Sequence, residues 1–389
     1  MKPLTTVAVL DRLIGYPTVS RDSNLALIDW LRDYLEHWGV RSHLVPNAAG
    51  TKANLFATIG PEREGGLAFS GHTDVVPVDD QNWSSDPFVM RAHDGRFYGR
   101  GTCDMKGFIA TAVALVPQLT RMPLRRPVHL MLSYDEEIGC VGAPFMIAQM
   151  NEQNVRPGAV IVGEPTGMQV ANAHKGICVS RTCVTGTAAH SSQTHLGVSA
   201  VMIAGELIAR LGELERELRA KRISATGLVP PYSTLAVNTI EGGTAMNILA
   251  STCEFTWEVR TLPGDDRAKH SDAFEAICKA VIMQLRSEGR ECAVATEILA
   301  DVPPLDAAGG AAEVLARSVL RLSDPSIAVP FATEAGQFQQ AGWSSVVCGP
   351  GSISQAHRPD EFVSAADLER CEQFLQQAVR SHCIEAGGA

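Results

Sequence analysis

The sequence contains no run of about 18 consecutive apolar residues, the length that a membrane-spanning helix needs, so we expect no membrane span. Near the amino terminus, Asp11 and Arg12 interrupt the apolar residues, so the hydrophobic segment of a signal peptide is missing. No cluster of Lys or Arg stands out, and the formal net charge is -10, which disfavours nucleic-acid binding. These absences predict a cytoplasmic protein without membrane or nucleic-acid partners.

The sequence also lacks several well-known motifs. It has no G-x-S-x-G, which disfavours a serine hydrolase, and no Walker loop, complete G-x-G-x-x-G or H-E-x-x-H. Ten cysteines are present, yet none forms a C-x-x-C pair, and several stand in apolar runs such as the one around Cys348. This distribution predicts reduced thiols that serve as small buried side chains, not a disulfide framework.

What the sequence does contain is typical of a globular α/β protein. Its 389 residues exceed what one hydrophobic core usually organises, which predicts two domains. Short apolar, strand-like runs alternate with helical segments, including an amphipathic helix over Ala26–Trp38 and a crossover helix over Gly107–Leu119. This alternation predicts a catalytic domain built on a mostly parallel sheet with helices on both faces.

The middle of the chain follows another pattern. From about residue 177 to residue 300 the predicted order is strand, helix, strand, strand, helix, strand, which is the order of a ferredoxin-like α+β unit. Because this unit is complete in itself, we expect it to be a domain inserted into the α/β domain. The predicted boundaries are 1–177 and 300–389 for the α/β domain and 178–299 for the inserted domain.

Histidines and carboxylates follow the predicted strands. The apolar run LAFS leads to His72, VHLMLSY leads to Glu136 and Glu137, and AVIV leads to Glu164. In an open α/β sheet the carboxyl ends of the strands form the edge where ligands bind, so we expect these side chains at one edge. Three further candidates are Asp74 in GHTD, Asp104 in GRGTCDMKG and His357 in AHRPDEF.

These residue types suit a centre with two metal ions. His72 and Asp74 are two apart and face the same side of an extended chain, where a carboxylate can orient a ligating imidazole. The adjacent Glu136 and Glu137 point different ways, which suits one metal ligand and one proton-transfer group. Two histidines and three carboxylates favour zinc, with cobalt or manganese as alternatives, and a shared Asp104 would hold two ions about 3.5–4 Å apart. Taken singly, each of these motifs is more often structural, and the prediction depends on their joint presence.

The pieces GHTDVVPVD, GRGTCDMKG, DEEIGCVGA, GEPT and HRPDEF together resemble the motifs of the M20 metallopeptidase family, and the resemblance runs nearly from end to end. It implies a metal-dependent amidohydrolase, and it implies that the inserted domain is the family's lid or dimerisation domain. One ion would be bound by His72, Asp104 and Glu164, and the other by Asp104, Glu137 and His357.

The resemblance also implies roles in proton transfer and substrate binding. Glu136 would be the general base and later the acid, and Asp74 would orient His72. His190, in GTAAHSS, resembles a lid histidine that polarises the scissile carbonyl, often across a homodimer. The structural alternative for His190 is a cap for the nearby Ser191 region.

Two more residues of the inserted domain, Asn247 and Arg260, resemble lid residues that meet the carboxylate of the substrate. Arg260 has a structural alternative, an ion pair with Asp265 or Glu258. The expected substrate is an Nα-acyl amino acid. Because GRGTCDMKGF, HKG after GEPT, and ATEA look like the subgroup that acts on acetylornithine, we expect L-ornithine and acetate as products, in arginine biosynthesis.

An acetylated ornithine carries a side-chain ammonium that needs an acidic partner, because an unpaired buried charge is unfavourable. Glu334, in the loop Phe331–Gly336, is our hypothesis for that partner, and a solvated loop glutamate is the alternative. Other functions that the sequence leaves open are a broader aminoacylase, a succinyl-diaminopimelate desuccinylase, a dipeptidase, and a non-catalytic binding protein on the same scaffold.

Overall fold

The computed structural model describes residues 2–222 and 227–384. The chain forms two compact units. The first, which we call the large unit, comprises Met1–Ala173, Leu305–Val329 and Thr333–Ala389. The second, which we call the small unit, comprises His174–Pro304 and Pro330–Ala332.

The secondary structure of the described residues is mixed α and β. The helices are α1 (Thr6–Ile14), α2 (Leu25–His37), α3 (Lys106–Ala114), α4 (Val116–Leu119), α5 (Ala143–Glu152), α6 (Ala200–Ala220), α7 (Arg267–Ser287), α8 (Ala311–Leu320), α9 (Ala335–Gln340) and α10 (Ala365–Val379). The strands are β1 (Ser42–Pro46), β2 (Ala53–Ile59), β3 (Leu67–His72), β4 (Arg91–His93), β5 (Arg96–Tyr98), β6 (Val128–Ser133), β7 (Ala159–Pro165), β8 (Ala171–His174), β9 (Gly176–Thr185), β10 (Thr234–Gly242), β11 (Thr252–Thr261), β12 (Ala293–Val302), β13 (Ile327–Val329), β14 (Ser345–Gly349) and β15 (Phe362–Ser364).

The core of the large unit is an eight-stranded sheet with the order β1-β2-β6-β3-β7-β14-β8-β13. Its central strands β6, β3, β7 and β14 run parallel, whereas β1, β2 and β8 pair antiparallel with their neighbours. Every residue of these four central strands is buried, which explains why they read as continuous apolar runs. The predicted mostly parallel sheet is therefore confirmed.

The crossover helix after the strand β3 differs from the prediction. In place of one helix over Gly107–Leu119, the chain forms α3 and α4, which are separated at Leu115. Pro117 causes this break, because proline has no backbone N–H to donate to the carbonyl of Val113 and its ring crowds that carbonyl. The helix α2, by contrast, lies within one residue of its predicted ends and is followed by Gly39 at a φ of 74°.

The small unit contains β9, α6, β10, β11, α7 and β12 in that order along the chain. Its four strands form an antiparallel sheet with the order β10-β11-β9-β12, which is the ferredoxin-like arrangement. The helix α6 buries Leu207, Leu211 and Leu218, at spacings of whole helical turns, and Phe255 and Trp257 lie in the same core. The use of this unit as a lid or for dimerisation stays a prediction.

All ten cysteines lie in the described ranges and are free thiols, as the sequence predicts. Among the described helices, none combines the length and the apolar character needed to cross a bilayer.

Candidate active site

Three neighbouring parallel strands bring their carboxyl ends to one edge of the large sheet. The strand β3 ends at His72, β6 ends directly before the segment with Glu136 and Glu137, and β7 carries Glu164. The alignment is fixed by the register, because His72 pairs with Ser133 at the end of β6 and Ser70 pairs with Val162 in β7. The strand ends therefore place an imidazole and carboxylates side by side.

Asp104 lies between two histidines. Its Oδ1 atom is 3.0 Å from Nε2 of His72, and its Oδ2 atom is 3.3 Å from Nε2 of His357. His72 Nε2 is also 3.5 Å from Oε1 of Glu164, and His357 Nε2 is 3.0 Å from Oε2 of Glu137. The structure thus brings all five predicted metal ligands into one cluster, with one oxygen of Asp104 facing each half.

The donor set fits divalent cations. Ligand atoms of His72, Asp104 and Glu137 lie within 4.8 Å of one another, and so do those of His72, Glu136 and Glu164. The Oε1 atoms of Glu137 and Glu164 are buried and have no hydrogen-bond partner among the described residues. Buried carboxylate oxygens without a partner are unfavourable unless a cation pairs with them. The second group also shows that Glu136 is within ligating distance, so its position alone does not separate a ligand from a base.

Asp74 contacts His72 through its backbone carbonyl, whereas the sequence predicts a contact through its carboxylate. The Nδ1–H of His72 donates to the backbone carbonyl of Asp74 at 2.9 Å, whereas the carboxylate of Asp74 is 3.6 Å away. That carboxylate instead accepts the Ser20 hydroxyl at 2.7 Å and the backbone N–H groups of Glu136 at 3.1 Å and Glu137 at 3.3 Å. Asp74 therefore fixes both the ring of His72, with Nε2 facing Asp104 and Glu164, and the Glu136–Glu137 segment.

Burial and mutual repulsion shift the titration of this cluster. Burial raises the pKa of Glu136 and Glu164 well above the usual range, and it raises the pKa of Glu137 to about 7, helped by the charge of Asp104. Hydrogen bonds to Asp104 and Glu137 raise the pKa of His357 to about 10. Burial alone would raise the pKa of Asp104, but its hydrogen bonds to the two histidines outweigh burial and lower it.

Glu334, the predicted partner of an ammonium group, is only 1% exposed, so its interpretation as a solvated loop glutamate is wrong. It lies at the start of α9, and its Oε2 atom accepts a hydrogen bond from the Ser70 hydroxyl at 3.3 Å. Its Oε1 atom makes no hydrogen bond to a described residue. Burial raises the pKa of Glu334, and the nearby Ser133 hydroxyl and His72 counteract part of that rise.

In the small unit, His190 and Asn247 lie on adjacent segments. His190 forms an antiparallel bridge with Ile248, and the N–H of Ser191 donates to the backbone carbonyl of Asn247 at 2.9 Å. The ring of His190 is exposed, and its Nδ1 atom accepts the N–H of Ser192 at 3.2 Å. Such local contacts hold the ring from the Nδ1 side.

Arg260, on the strand β11 of the small unit, makes the contact that the structural alternative predicts. Its Nε atom is 2.9 Å from Oε1 of Glu258. Its side chain is 35% exposed, so this pair is partly solvated and contributes little to stability. The guanidinium therefore keeps donors that the Glu258 contact does not use.

Sequence reasoning missed Glu361 and Arg100, which are both buried next to the cluster. Their side chains form an ion pair with a distance of 2.8 Å between Arg100 Nη1 and Glu361 Oε2. A signal was present, since Arg100 stands in GRGTCDMKG and Glu361 in AHRPDEF, the two motifs that supply Asp104 and His357.

The chain is similar to known proteins over most of its length. The family model of peptidase family M20/M25/M40 matches residues 68–381. An acetylornithine deacetylase of Pasteurella multocida (strain Pm70) is 35% identical over 378 residues, which cover 95% of this chain and 96% of that protein.

Solved structures show the same fold. An M20-family metallo-carboxypeptidase from Sulfolobus solfataricus is 19% identical with a TM-score of 0.74, over 96% of this chain and 98% of that one. A dinuclear metal-binding peptidase of the M20 family from Bacillus subtilis is 16% identical with a TM-score of 0.62, over 96% of each chain.

The raised pKa values predict that protons leave when divalent ions bind. With a pKa of about 10, the imidazole of His357 is protonated in the metal-free protein at neutral pH, and it must be neutral to ligate. Metal affinity should therefore increase as the pH rises towards 10. Calorimetric titration with Zn²⁺ in two buffers of different ionisation enthalpy checks this. A binding enthalpy that does not depend on the buffer would contradict the prediction. The control is His357→Gln, which should release fewer protons than the wild type when Zn²⁺ binds.

Proposed function

Since this chain belongs to peptidase family M20/M25/M40 and is a hydrolase that acts on amide bonds, we propose that it removes the acetyl group from Nα-acetyl-L-ornithine. The products would be L-ornithine and acetate, and the cytoplasm would be its location. The single observation that carries the chemistry is the cluster around Asp104, whose carboxylate faces a histidine on each side. Acetylornithine is supported as the substrate by the similarity to the acetylornithine deacetylase of Pasteurella multocida, which extends over 95% of this chain.

We assign two divalent ions to this cluster, with zinc favoured by the mixed imidazole and carboxylate donors. One ion would be held by His72, Asp104 and Glu164, and the other by Asp104, Glu137 and His357. Bound ions of this kind lower the pKa of water and stabilise negative charge on a carbonyl oxygen. Proton transfer, further stabilisation of the oxyanion and substrate binding are assigned to side chains of this protein.

Glu136 is the proposed proton carrier. Its backbone N–H is held by Asp74, and the Cys140 thiol donates to its Oε1 atom at 3.3 Å, so the side chain is fixed beside the cluster. In the proposed reaction Glu136 accepts the proton of the attacking water and later delivers it to the departing amine nitrogen. A raised pKa suits the second of these steps, because the group must hold the proton until the amine leaves.

The small unit supplies the remaining proposed roles. His190 would donate to the oxyanion, and its exposed ring is available for that purpose. Asn247 and Arg260 would meet the substrate carboxylate, with Arg260 using donors that its pair with Glu258 leaves free. A homodimer through this unit, with His190 acting on the partner's substrate, belongs to the same proposal.

Glu334 is the proposed partner of the ornithine ammonium. Two observations support this role: its carboxyl is removed from bulk water, and its Oε1 atom makes no hydrogen bond to a described residue. The Coulomb attraction between an ammonium and a carboxylate is stronger in such surroundings than in water. The role predicts a preference for acylated amino acids with a cationic side chain.

A panel of acylated substrates tests the proposed function. Wild-type protein loaded with Zn²⁺ or Co²⁺ should hydrolyse acetylornithine with a higher kcat/KM than acetylmethionine, succinyl-diaminopimelate or a dipeptide. The matched control is protein stripped with a chelator, which should be inactive on all four. A higher kcat/KM for any of the other three would replace the proposed substrate with that class.

For Glu136→Gln we expect bound metal to remain and turnover to fall by about 10²–10⁴-fold, because the amide cannot carry the proton while the rest of the cluster is unchanged. Metal content by plasma mass spectrometry and acetate release by the same protein sample give the two readings. Loss of metal together with activity would make Glu136 a ligand, as its distance from His72 and Glu164 allows.

His190→Ala provides the complementary variant. It should lower turnover while leaving the metal content and Tm near those of the wild type. If His190 acts across a homodimer, mixing His190→Ala with Glu136→Gln should restore part of the activity, since one of the two sites in a hybrid dimer then has both groups. Unchanged turnover in His190→Ala alone would remove this residue from the mechanism.

Glu334→Gln tests specificity. We expect KM for acetylornithine to rise by a much larger factor than KM for acetylmethionine, because only the former presents a cation to the carboxylate. Steady-state kinetics on both substrates with one enzyme preparation make the comparison independent of any loss of stability. Equal changes for both substrates, or none for either, would show that another group receives the ammonium.

A further inference from the structure

The carboxylate of Glu361 is enclosed by donors although it ligates nothing in the proposed centre. Its side chain has 0% exposure. Oε1 accepts the backbone N–H groups of Cys103 at 2.8 Å and Asp104 at 3.0 Å, and Oε2 accepts that of Gly101 at 3.0 Å. One side chain thus fixes the backbone of the loop that presents Asp104.

Arg100 completes the enclosure of Glu361 and extends it to the loop with His357. Its Nη1 atom donates to Glu361 Oε2 at 2.8 Å and to the carbonyl of Arg358 at 3.3 Å. Its Nη2 atom donates to Oε1 of Gln81 at 2.6 Å. The planar guanidinium therefore connects its own loop to Gln81 and to the segment that contains Arg358 and Glu361. A lysine ammonium on a flexible stem lacks this fixed arrangement of donors.

Gln81 carries the connection to His357 itself. While its Oε1 atom accepts from Arg100, its Nε2 atom donates to the backbone carbonyl of His357 at 3.0 Å. The ring of His357 is 53% exposed, so little packing holds it and its position depends on how the backbone is fixed. A continuous set of hydrogen bonds thus runs from the backbone of Asp104 through Glu361, Arg100 and Gln81 to the backbone of His357.

The two halves of the cluster are supported differently. His72 and Glu164 stand on the buried strands β3 and β7, which are paired within the sheet. His357 stands on a loop at a φ of 63°, without a strand to fix it. The half of the site that contains His357 therefore relies on contacts such as those of Gln81 and Arg100.

We propose that Glu361 and Arg100 form a positioning pair that fixes Asp104 relative to His357 and thereby sets the affinity for the second divalent ion. This inference rests on the proposed function, since it requires the cluster to bind metal. Neither residue touches the ions or the substrate in this scheme. Each acts through the backbone that it holds.

Glu361→Gln is the sharpest variant, because it keeps the shape of the side chain while it removes the negative charge that pairs with Arg100 and one of the two acceptor oxygens. The amide NH₂ of glutamine would face either the N–H groups of Cys103 and Asp104 or those of Gly101 and Arg100, so one donor pair loses its acceptor. The loop with Asp104 then shifts relative to His357. We expect the second ion to bind about 10–100-fold more weakly, because two of its ligands, Asp104 and His357, lie on loops. The first ion should lose less affinity, because its other two ligands, His72 and Glu164, stand on buried strands.

The experiment is a calorimetric titration of chelator-stripped full-length protein with Zn²⁺, together with Co²⁺ titrations followed by visible absorption. Wild-type protein should show two binding events. Glu361→Gln and Arg100→Lys should weaken the second event more than the first, and Gln81→Ala should do so by a smaller factor. Because Gln81 is only partly buried, its variant remains folded and decides the question if the buried variants do not fold.

Leu31→Ala, in the fully buried core of α2, is the matched control for a general loss of stability. It should lower Tm and leave both metal affinities unchanged. Wild-type affinities for both ions in all three site variants, or equal weakening of both ions, would overturn the positioning role. Wild-type protein that binds no divalent ion would instead contradict the proposed function itself, and the positioning role with it.

Discussion

Asp104 shares its carboxylate between two histidines, and the surrounding site is arranged around this one group. Glu136, Glu137 and Glu164 crowd beside it in buried surroundings, where unpaired negative charge is unfavourable. In the metal-free state protons compensate for that charge, which is why the three glutamates have raised pKa values and His357 reaches about 10. Divalent cations would therefore compete with protons for the same oxygens and nitrogens.

The sheet and the loops contribute to this arrangement in different ways. Parallel strands fix His72 and Glu164 through their register, and the cost of moving either residue is the disruption of a buried sheet. Loops present Asp104 and His357, and loops have no register, so side chains must fix them. Buried carboxylates perform this task twice: Asp74 accepts the N–H groups of the Glu136–Glu137 segment, and Glu361 accepts those of the Asp104 loop. The negative charge of the site is thus partly structural.

The sequence predicts the parts of the molecule that follow from periodicity and strand ends. The parallel sheet, the ferredoxin-like order of the small unit and the meeting of the strand ends near His72 are of this kind. The contacts between side chains and backbone could not be predicted, because a backbone N–H is present at nearly every residue and leaves no pattern. The motif that contains Glu361 was visible, but the three backbone N–H groups that it accepts were not. The sequence left two interpretations of Glu334 open, and it could not predict the contact with Ser70, which lies 264 positions earlier in the chain. The break at Leu115 was foreseeable from Pro117, and the apolar pattern obscured it.

The burial of Glu136 has opposite consequences for the two proton transfers, and the balance between them depends on the charge nearby. Burial and the neighbouring carboxylate of Glu137 raise its pKa, which favours holding a proton and hinders its action as an ionised base. Positive charge bound by the surrounding ligands would lower that pKa and so favour the ionised form that accepts a proton. Cations held by the ligands around Asp104 would thus act on the ionisation of Glu136 as well as on the water. For this reason the proposed ligands around Asp104 and the proposed proton carrier beside them would function as one unit, and Asp74, which contacts both His72 and the Glu136–Glu137 segment, fixes the geometry of both.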